Sequence, residues 1–289
     1  MSVVPFVEDD DLLAAGSRRR QVGTGSARSL LLTILGEFVH PRGVPVWTAT
    51  LVGALGVLGV EEKSGRQAIA RSAADGLLVS QRDGRRVCWQ VTTPGTRLLA
   101  EGTRRIYTFL TNSPVWDGRW LVLSVAIPET QRQLRHKLRT QLTWLGMGSP
   151  TAGIWIVPDT SRESAVAAVI EELGLADKAF AWTGTVVPIG SPDAMIADAW
   201  ALDDVEQRYA EFLSTFGDLT VTTSAEAFQA QVRLVQAWRR FPFLDPALPR
   251  ELLDHDWPGP EAADLFHRRH DEWHAAAQGY WTDLQSRTS

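Results

Sequence analysis

Apolar positions along the chain change period several times, and each change marks an element. Ser26 through Val39 places Leu30, Leu31, Ile34, Leu35 and Phe38 at helical spacing behind a serine able to cap a helix. Pro41, Gly43 and Pro45 break that run. The pattern then predicts a short helix over Thr48–Val57. A third covers Glu61–Ala74 and opens on two carboxylates, which a helix N-terminus favours. Leu77–Ser80 and Val87–Thr92 read as strands joined through Arg82-Asp83-Gly84-Arg85, with Asp83-Gly84 as the hairpin signal. Thr93-Pro94 begins another helix to about Thr108, with proline where the first turn tolerates it.

Past a loop over Thr111–Gly118 the pattern becomes mixed. Arg119–Ile127 is a strand rich in Trp, Leu and Val, and Glu129–Leu145 an amphipathic helix with Leu134, Leu138, Leu142 and Leu145 on one face. A short strand near Met147–Thr151, a buried strand over Thr151–Pro158, a helix over Ser161–Leu173 and a strand over Ala179–Pro188 follow. From Ser191 the chain reads as helical: Ser191 to about Leu202, Asp203–Phe216, Ser224–Arg240 and a long Pro260–Leu284. Between the last two, the prolines of Phe241–Pro249 predict an extended segment, followed by one turn at Arg250–Leu253.

The resulting fold class is α+β and multi-domain. A mobile arm over 1–25 leads into a winged helix-turn-helix over 26–110. A central ferredoxin-like α/β domain follows over 116–190, and a mainly helical C-terminal domain over 191–289. In the winged unit the third helix offers Lys63, Ser64, Arg66, Gln67 and Arg71 to DNA, since arginine forks onto guanine and glutamine onto adenine. Arg82, Arg85 and Arg86 at the wing suit phosphates or a minor groove, and Ala68, Ile69 and Ala73 face inward.

Charge sharpens this division. The 289 residues carry a formal net charge of −5, but residues 17–107 hold 14 bases against 6 acids, 108–191 balance 7 against 7, and 192–289 hold 8 against 17. A basic block ahead of neutral and acidic ones points to a polyanion-binding unit joined to units with other work. A single cysteine, Cys88, excludes an internal disulfide and a cysteine metal cage, as expected of a cytoplasmic protein. Apolar runs such as Leu51–Val60 are far shorter than the roughly 18–20 residues of a membrane span. The acidic start, Met1–Asp11, does not read as a secretory signal.

No constellation predicts catalysis. Gly53, Gly56 and Gly59 lack the spacing and context of a phosphate loop, and there is neither a Gly-rich Lys-Ser/Thr motif nor a nucleophile elbow. His267, His270, Asp271 and His274 share one face of the last helix at metal-ligand spacing. One helix seldom completes a metal site, so they read as a solvated or partly packed face. No metal and no cofactor are expected.

Several short motifs occur in a recognisable order: Arg66-Gln67-Ala68-Ile69-Ala70-Arg71 with Asp75-Gly76-Leu77, Trp116-Asp117-Gly118-Arg119-Trp120, Trp144-Leu145-Gly146 and Gly153-Ile154-Trp155-Ile156. C-terminal to them stand Phe241-Pro242, Asp245-Pro246, Leu248-Pro249, Asp256-Trp257-Pro258-Gly259 and Leu265-Phe266. With these, the chain from about Ser26 to Gln278 resembles the PaaX family, transcriptional repressors of phenylacetic-acid degradation and their paralogues. The resemblance implies that the winged unit binds operator DNA. It also implies a middle domain like the ferredoxin-like CRISPR spacer-acquisition nuclease fold, pairing two subunits, and a C-terminal domain that helps form an effector pocket. The effector it implies is phenylacetyl-coenzyme A or another acyl-coenzyme A. Gly65 departs from the family's more usual apolar residue, a change that loosens the helix by roughly 0.5–1 kcal/mol relative to Ala. The first strand of the middle domain, Trp120–Ile127, carries no Asp, so nuclease chemistry is not implied.

An anionic effector needs cations. Arg119, Arg132, Arg135, His136, Arg139, Arg239 and Arg240 are candidates by charge, with Trp116 and Trp120 for an aromatic acyl group. The expectation is therefore a homodimeric regulator of an aromatic-acid operon that double-stranded operator DNA binds and an acyl-coenzyme A releases. A dimeric DNA-binding regulator with no effector, and an acyl-coenzyme A-acting or nuclease-type enzyme carrying a winged helix, are the alternatives.

Overall fold

A computed structural model describes residues 25–111, 115–187 and 189–288. Apart from Gly25, the arm expected over 1–25 lies outside the described residues, as does part of the 111–118 loop. The chain is a multi-domain α+β protein with two antiparallel sheets, and it divides into two compact units. One unit holds the described residues to Phe109 with Glu211–Arg240 and Glu261 onwards, and the other holds Leu110–Ala210 with Phe241–Pro260.

The first unit opens with α1 (Ala27–Ile34), whose Ser26 side chain accepts the Ser29 N–H as the spacing predicts. The helix does not run unbroken to Val39. It widens into a π-helical turn over Leu35–Val39 and tightens into a 3-10 turn at His40–Arg42. Such a widened turn commonly marks a helix bent to aim a particular side chain, and here Glu37 is turned inward. A two-residue strand, β1 (Val46–Trp47), follows where proline and glycine predict only a break. Helices α2 (Thr48–Val57) and α3 (Glu62–Ala74) come next, then strands β2 (Leu78–Asp83) and β3 (Arg86–Val91) and helix α4 (Thr93–Thr108). The three strands pair in the order β1-β3-β2. The hairpin is tighter than expected: Asp83 pairs with Arg86, so the turn is Gly84-Arg85, with Gly84 at φ +58° in the first central position.

Two distant helices, α9 (Ser224–Trp238) and α11 (Gly259–Thr288), complete this unit; α11 enters it at Glu261. The Phe38 ring lies 4.9 Å from Phe228 and 5.5 Å from Trp281, and Trp238 stacks on Phe266 at 5.0 Å. All five rings are fully buried. The apolar face of α1 therefore finds its cover in helices from the far end of the chain.

The second unit contains β4 (Trp120–Val125), α5 (Arg132–Trp144), β5 (Gly148–Thr151), β6 (Ile154–Val157), α6 (Glu163–Glu172) and β7 (Ala179–Gly184). Helix α7 (Pro192–Ala199) follows, then α8 (Leu202–Phe216), through which the chain passes back to the first unit. The sheet order is β5-β6-β4-β7, with β7 at an edge. Residues alternate across it. Leu121, Leu123 and Val125 pack with Leu138 and Leu142 of α5 and Val166 and Ile170 of α6, while Trp120 and Ile156 pack with Ile196, Trp200 and Leu248 on the other face. Gly148 permits the close approach of α7, because a Cβ there would lie 2.6 Å from Trp200 Cδ2.

Several elements start or stop inside their expected bounds. Asp159, not Ser161, caps the turn ahead of α6 by accepting the Ser161 N–H. The expected extended segment begins instead as a helical turn, α10 (Phe241–Leu244). Proline at its second position tolerates a first helical turn. The Asp245 N–H closes that turn onto the Phe241 carbonyl at 2.9 Å.

Candidate nucleic-acid interface

Helix α3 is built to show one face. Gly65, Ala68, Ile69 and Ser72 are buried, while Lys63, Arg66, Gln67, Ala70 and Arg71 are exposed and Ser64 is half-buried. Gly65 has a packing reason that its neutrality in sequence hides: a Cβ there would sit 3.3 Å from Cδ1 of the fully buried Leu55. The glycine lets α2 and α3 approach closely, which offsets its cost in helix propensity.

Glu62, Lys63, Arg66, Gln67 and Ala70 line an open groove of about 570 Å³ along the exposed face. Nε and Nη2 of Arg66 both reach Oε1 of Glu62 at 2.8 Å, one turn back. This pair holds the guanidinium along the helix, and its acidic member is a groove residue that motif reasoning missed. A carboxylate four residues before an arginine on an exposed helix face is the signal that reveals it.

At the hairpin Arg82 and Arg85 are exposed beside Asp83. Arg86 is exposed too, but its guanidinium lies over the Trp47 ring at 5.7 Å, so it is tied to β1 from beside the turn. Thr48 reinforces that corner, donating to the Val87 carbonyl at 2.9 Å and accepting the Trp89 indole N–H at 2.9 Å.

The structure sorts the residues proposed for an anionic effector into three places. Trp116, Arg119 and Trp120 come together: the two indoles meet edge to face at 5.6 Å, and Trp116 Nε1 donates to the Arg119 carbonyl. Trp120 is buried in the core against Trp200, whereas Arg119 donates to Thr183 Oγ1 at 2.6 Å. Arg132, Arg135, His136 and Arg139 lie exposed on α5. Arg239 and Arg240 belong to the first unit, where Arg239 donates to the Ser29 carbonyl at 3.3 Å.

The histidine face of α11 is partly packed. His270 Nε2 lies 2.9 Å from Glu37 Oε2 and His267 is half-buried, while Asp271 and His274 are exposed. Among the described residues no group of three or more His, Cys, Asp or Glu side chains is placed to hold a metal ion. No described helix is long and apolar enough to cross a membrane.

Comparison with known families resolves three matched stretches. Residues 26–95 match PaaX-like protein, residues 113–196 the PaaX protein central Cas2-like domain, and residues 200–283 the PaaX-like protein C-terminal domain. The chain belongs to the PaaX family. Among curated proteins it is similar to Transcriptional repressor PaaX of Escherichia coli (strain K12), 28% identical over 251 residues, covering 83% of this chain and 78% of that one. Among solved structures it is similar to uncharacterized protein Rv0674 from Mycobacterium tuberculosis, with a TM-score of 0.61 and 23% identity over 89% of this chain and 99% of that one. The groove on α3 lies within the stretch matched by the first PaaX family domain.

Proposed function

We propose that this PaaX-family chain is a cytoplasmic, homodimeric, sequence-specific transcriptional repressor, a regulator and not an enzyme. The observation that carries the reading is the exposed face of α3, where Lys63, Arg66, Gln67 and Arg71 stand clear of a helix packed through Gly65, Ala68 and Ile69. Three helices followed by the β2–β3 hairpin support a winged helix-turn-helix, with α3 in the major groove and Arg82, Arg85 and Arg86 toward phosphates or the minor groove. Arg66 and Gln67 are the base readers in this scheme, with Lys63, Ser64 and Arg71 flanking them. The similarity to a protein named as a transcriptional repressor favours repression over activation.

The order β5-β6-β4-β7, with α5 and α6 on one face, supports a ferredoxin-like middle domain. For the effector we assign an aromatic acyl-coenzyme A such as phenylacetyl-coenzyme A, with Trp116 and Arg119, beside the buried Trp120, as its nearest candidate contacts. Such a ligand releases DNA only by binding the released form more tightly, by several kcal/mol for a near-complete shift, about 5.5 for a 99:1 reversal.

The test is binding of the full chain to the DNA upstream of its own coding region, titrated with phenylacetyl-coenzyme A and with free coenzyme A. Release by the thioester alone is expected. Tight binding indifferent to both would retain the DNA reading and remove this effector. Equal affinity for operator and scrambled duplex would remove the sequence-specific reading.

A further inference from the structure

Helix α5 carries an exposed band of cations with no carboxylate partner among the described residues. Arg132, Arg135, His136 and Arg139 recur at i, i+3, i+4 and i+7, all exposed, along the flank of the face that buries Leu138 and Leu142 in the sheet core. The helix, Arg132–Trp144, contains no carboxylate. Elsewhere Arg66 pairs with Glu62, Arg162 with Asp159 and Arg269 with Glu272, each three or four residues away. Among the described residues no carboxylate lies within ion-pairing distance of Arg132, Arg135, Lys137 or Arg139. Arg135 donates only to the Glu129 carbonyl, at 3.4 Å, and the Arg139 guanidinium lies 5.8 Å from the Trp155 ring centroid. A guanidinium laid on an indole keeps its in-plane N–H donors outward.

We propose that this face of α5 is a nucleic-acid contact in its own right, which takes backbone phosphates of duplex DNA. The proposal rests on the regulator reading. Its geometry favours a rod-like polyanion. At 1.5 Å per residue the band from Arg132 to Arg139 spans about 10 Å, and three successive phosphate steps of one DNA strand advance about the same distance along the axis. The band is a convex ridge, whereas small-molecule sites are concave and enclose most of the ligand. Three arginines aligned along a ridge hold a duplex in register without reading its bases.

The experiment compares wild type with the Arg132→Ala, Arg135→Ala, Arg139→Ala triple variant and with the corresponding triple lysine variant. Binding to the upstream duplex and to a scrambled duplex of equal length is followed over a salt series. The alanine variant is expected to melt like wild type and to bind both duplexes more weakly by the same factor. Its log–log salt slope should be shallower by about 0.9 for each lost contact, roughly 2–3 in all. The lysine variant should restore the slope. An unchanged slope in the alanine variant would overturn the proposal, as would loss of preference for the upstream duplex. Unchanged DNA binding with a lost response to phenylacetyl-coenzyme A would also overturn it, making the band a coenzyme phosphate site. If wild type shows no sequence preference but the alanine variant still loses salt-dependent binding to both duplexes, the α5 contact stands and the operator reading falls.

Discussion

Glu37 and His270, 233 positions apart, meet at 2.9 Å between Oε2 and Nε2 inside the first unit. The Tyr107 hydroxyl donates to Glu37 Oε1 at 2.7 Å, and Gln231 Nε2 donates to Oε2 at 2.9 Å. One carboxylate thus ties the π-helical turn after α1 to α4, α9 and α11. Burial pushes its pKa up, but the hydrogen bond and charge of His270, with the bonds from Tyr107 and Gln231, outweigh burial and hold it below the ordinary value. The same carboxylate and its own burial keep the Tyr107 hydroxyl protonated.

Replacing Glu37 by leucine removes the shared acceptor of Tyr107, Gln231 and His270 and leaves these groups only their contacts with one another. A cost of about 3–5 kcal/mol in unfolding free energy is expected, measured by urea denaturation. The pH dependence has a definite sign. The folded pKa lies below the ordinary value of 4.5, so the contribution is complete above 4.5 and is lost as pH falls through the folded value. Wild type should therefore lose midpoint stability in acid faster than Glu37→Leu does. Parallel acid profiles would remove Glu37 from that role.

The cluster also shows what the chain reveals about itself and what it withholds. Local signals carry α2, α3, α4 and α9 to within a residue or two, because caps, glycines and apolar spacing act over one or two turns. The exposed face of α3 was legible for the same reason: the arginines and small residues of one helix sort onto opposite sides. The partner of His270 was not legible, since spacing within α11 says nothing of a residue 233 positions away. The signal available was Glu37 itself, a lone charge in an apolar helix. The widened turn at Leu35–Val39 and the helical turn at Phe241–Leu244 were hidden likewise, because tertiary contacts decide them.

Glu62 holds Arg66 through two contacts to one oxygen, in a pair exposed on both sides. Exposed pairs contribute about 0–1 kcal/mol, so Glu62→Gln should leave thermal stability nearly unchanged. Its expected effect is on DNA: removing an acid from the α3 groove should tighten binding to every duplex and lower the ratio of operator to scrambled affinity. Arg66→Ala should instead weaken operator binding by about 1–3 kcal/mol and relax preference at one base pair. Fluorescence anisotropy with single-base operator variants separates the two outcomes.

Tyr209 donates to Asp245 Oδ2 at 2.6 Å, and the Ala247 N–H donates to Oδ1 at 2.7 Å. The Tyr209 ring also stacks on Phe241 at 4.1 Å, so it anchors both ends of the helical turn at Phe241–Leu244. Burial raises the Asp245 pKa above 3.8 against the pull of these two bonds. A raised carboxylate pKa means that this site favours folding most below 3.8 and loses that support as pH rises through the folded value. Tyr209→Phe removes a stabilising donor, at a cost of about 1–3 kcal/mol. The deficit should grow as pH rises, because the ionised form loses more than the neutral one. Denaturation of wild type and Tyr209→Phe at acidic and neutral pH measures it, and a pH-independent gap would mean that Asp245 keeps one protonation state over that range.

Strand β7 is an edge strand, and its exposed side chains are apolar: Phe180 is 72% exposed and Trp182 50%, with Val186, Val187 and Ile189 exposed just beyond. Bare apolar edges invite pairing, and proteins usually blunt them with lysine, proline or a bulge. Ala179–Gly184 has no charge, no proline and no register shift against β4. A neutral edge of this kind suits a second copy of itself, since antiparallel pairing about a two-fold axis places like residues opposite each other without charge repulsion. On the homodimer reading, Trp182→Lys should convert the dimer to monomer in sedimentation equilibrium while the melting curve of each protomer stays close to wild type. Operator affinity should then fall steeply, because two linked half-site contacts become independent ones. A Trp182→Lys protein that remains dimeric would place the subunit interface elsewhere, and a monomeric wild type would remove the dimer from the mechanism.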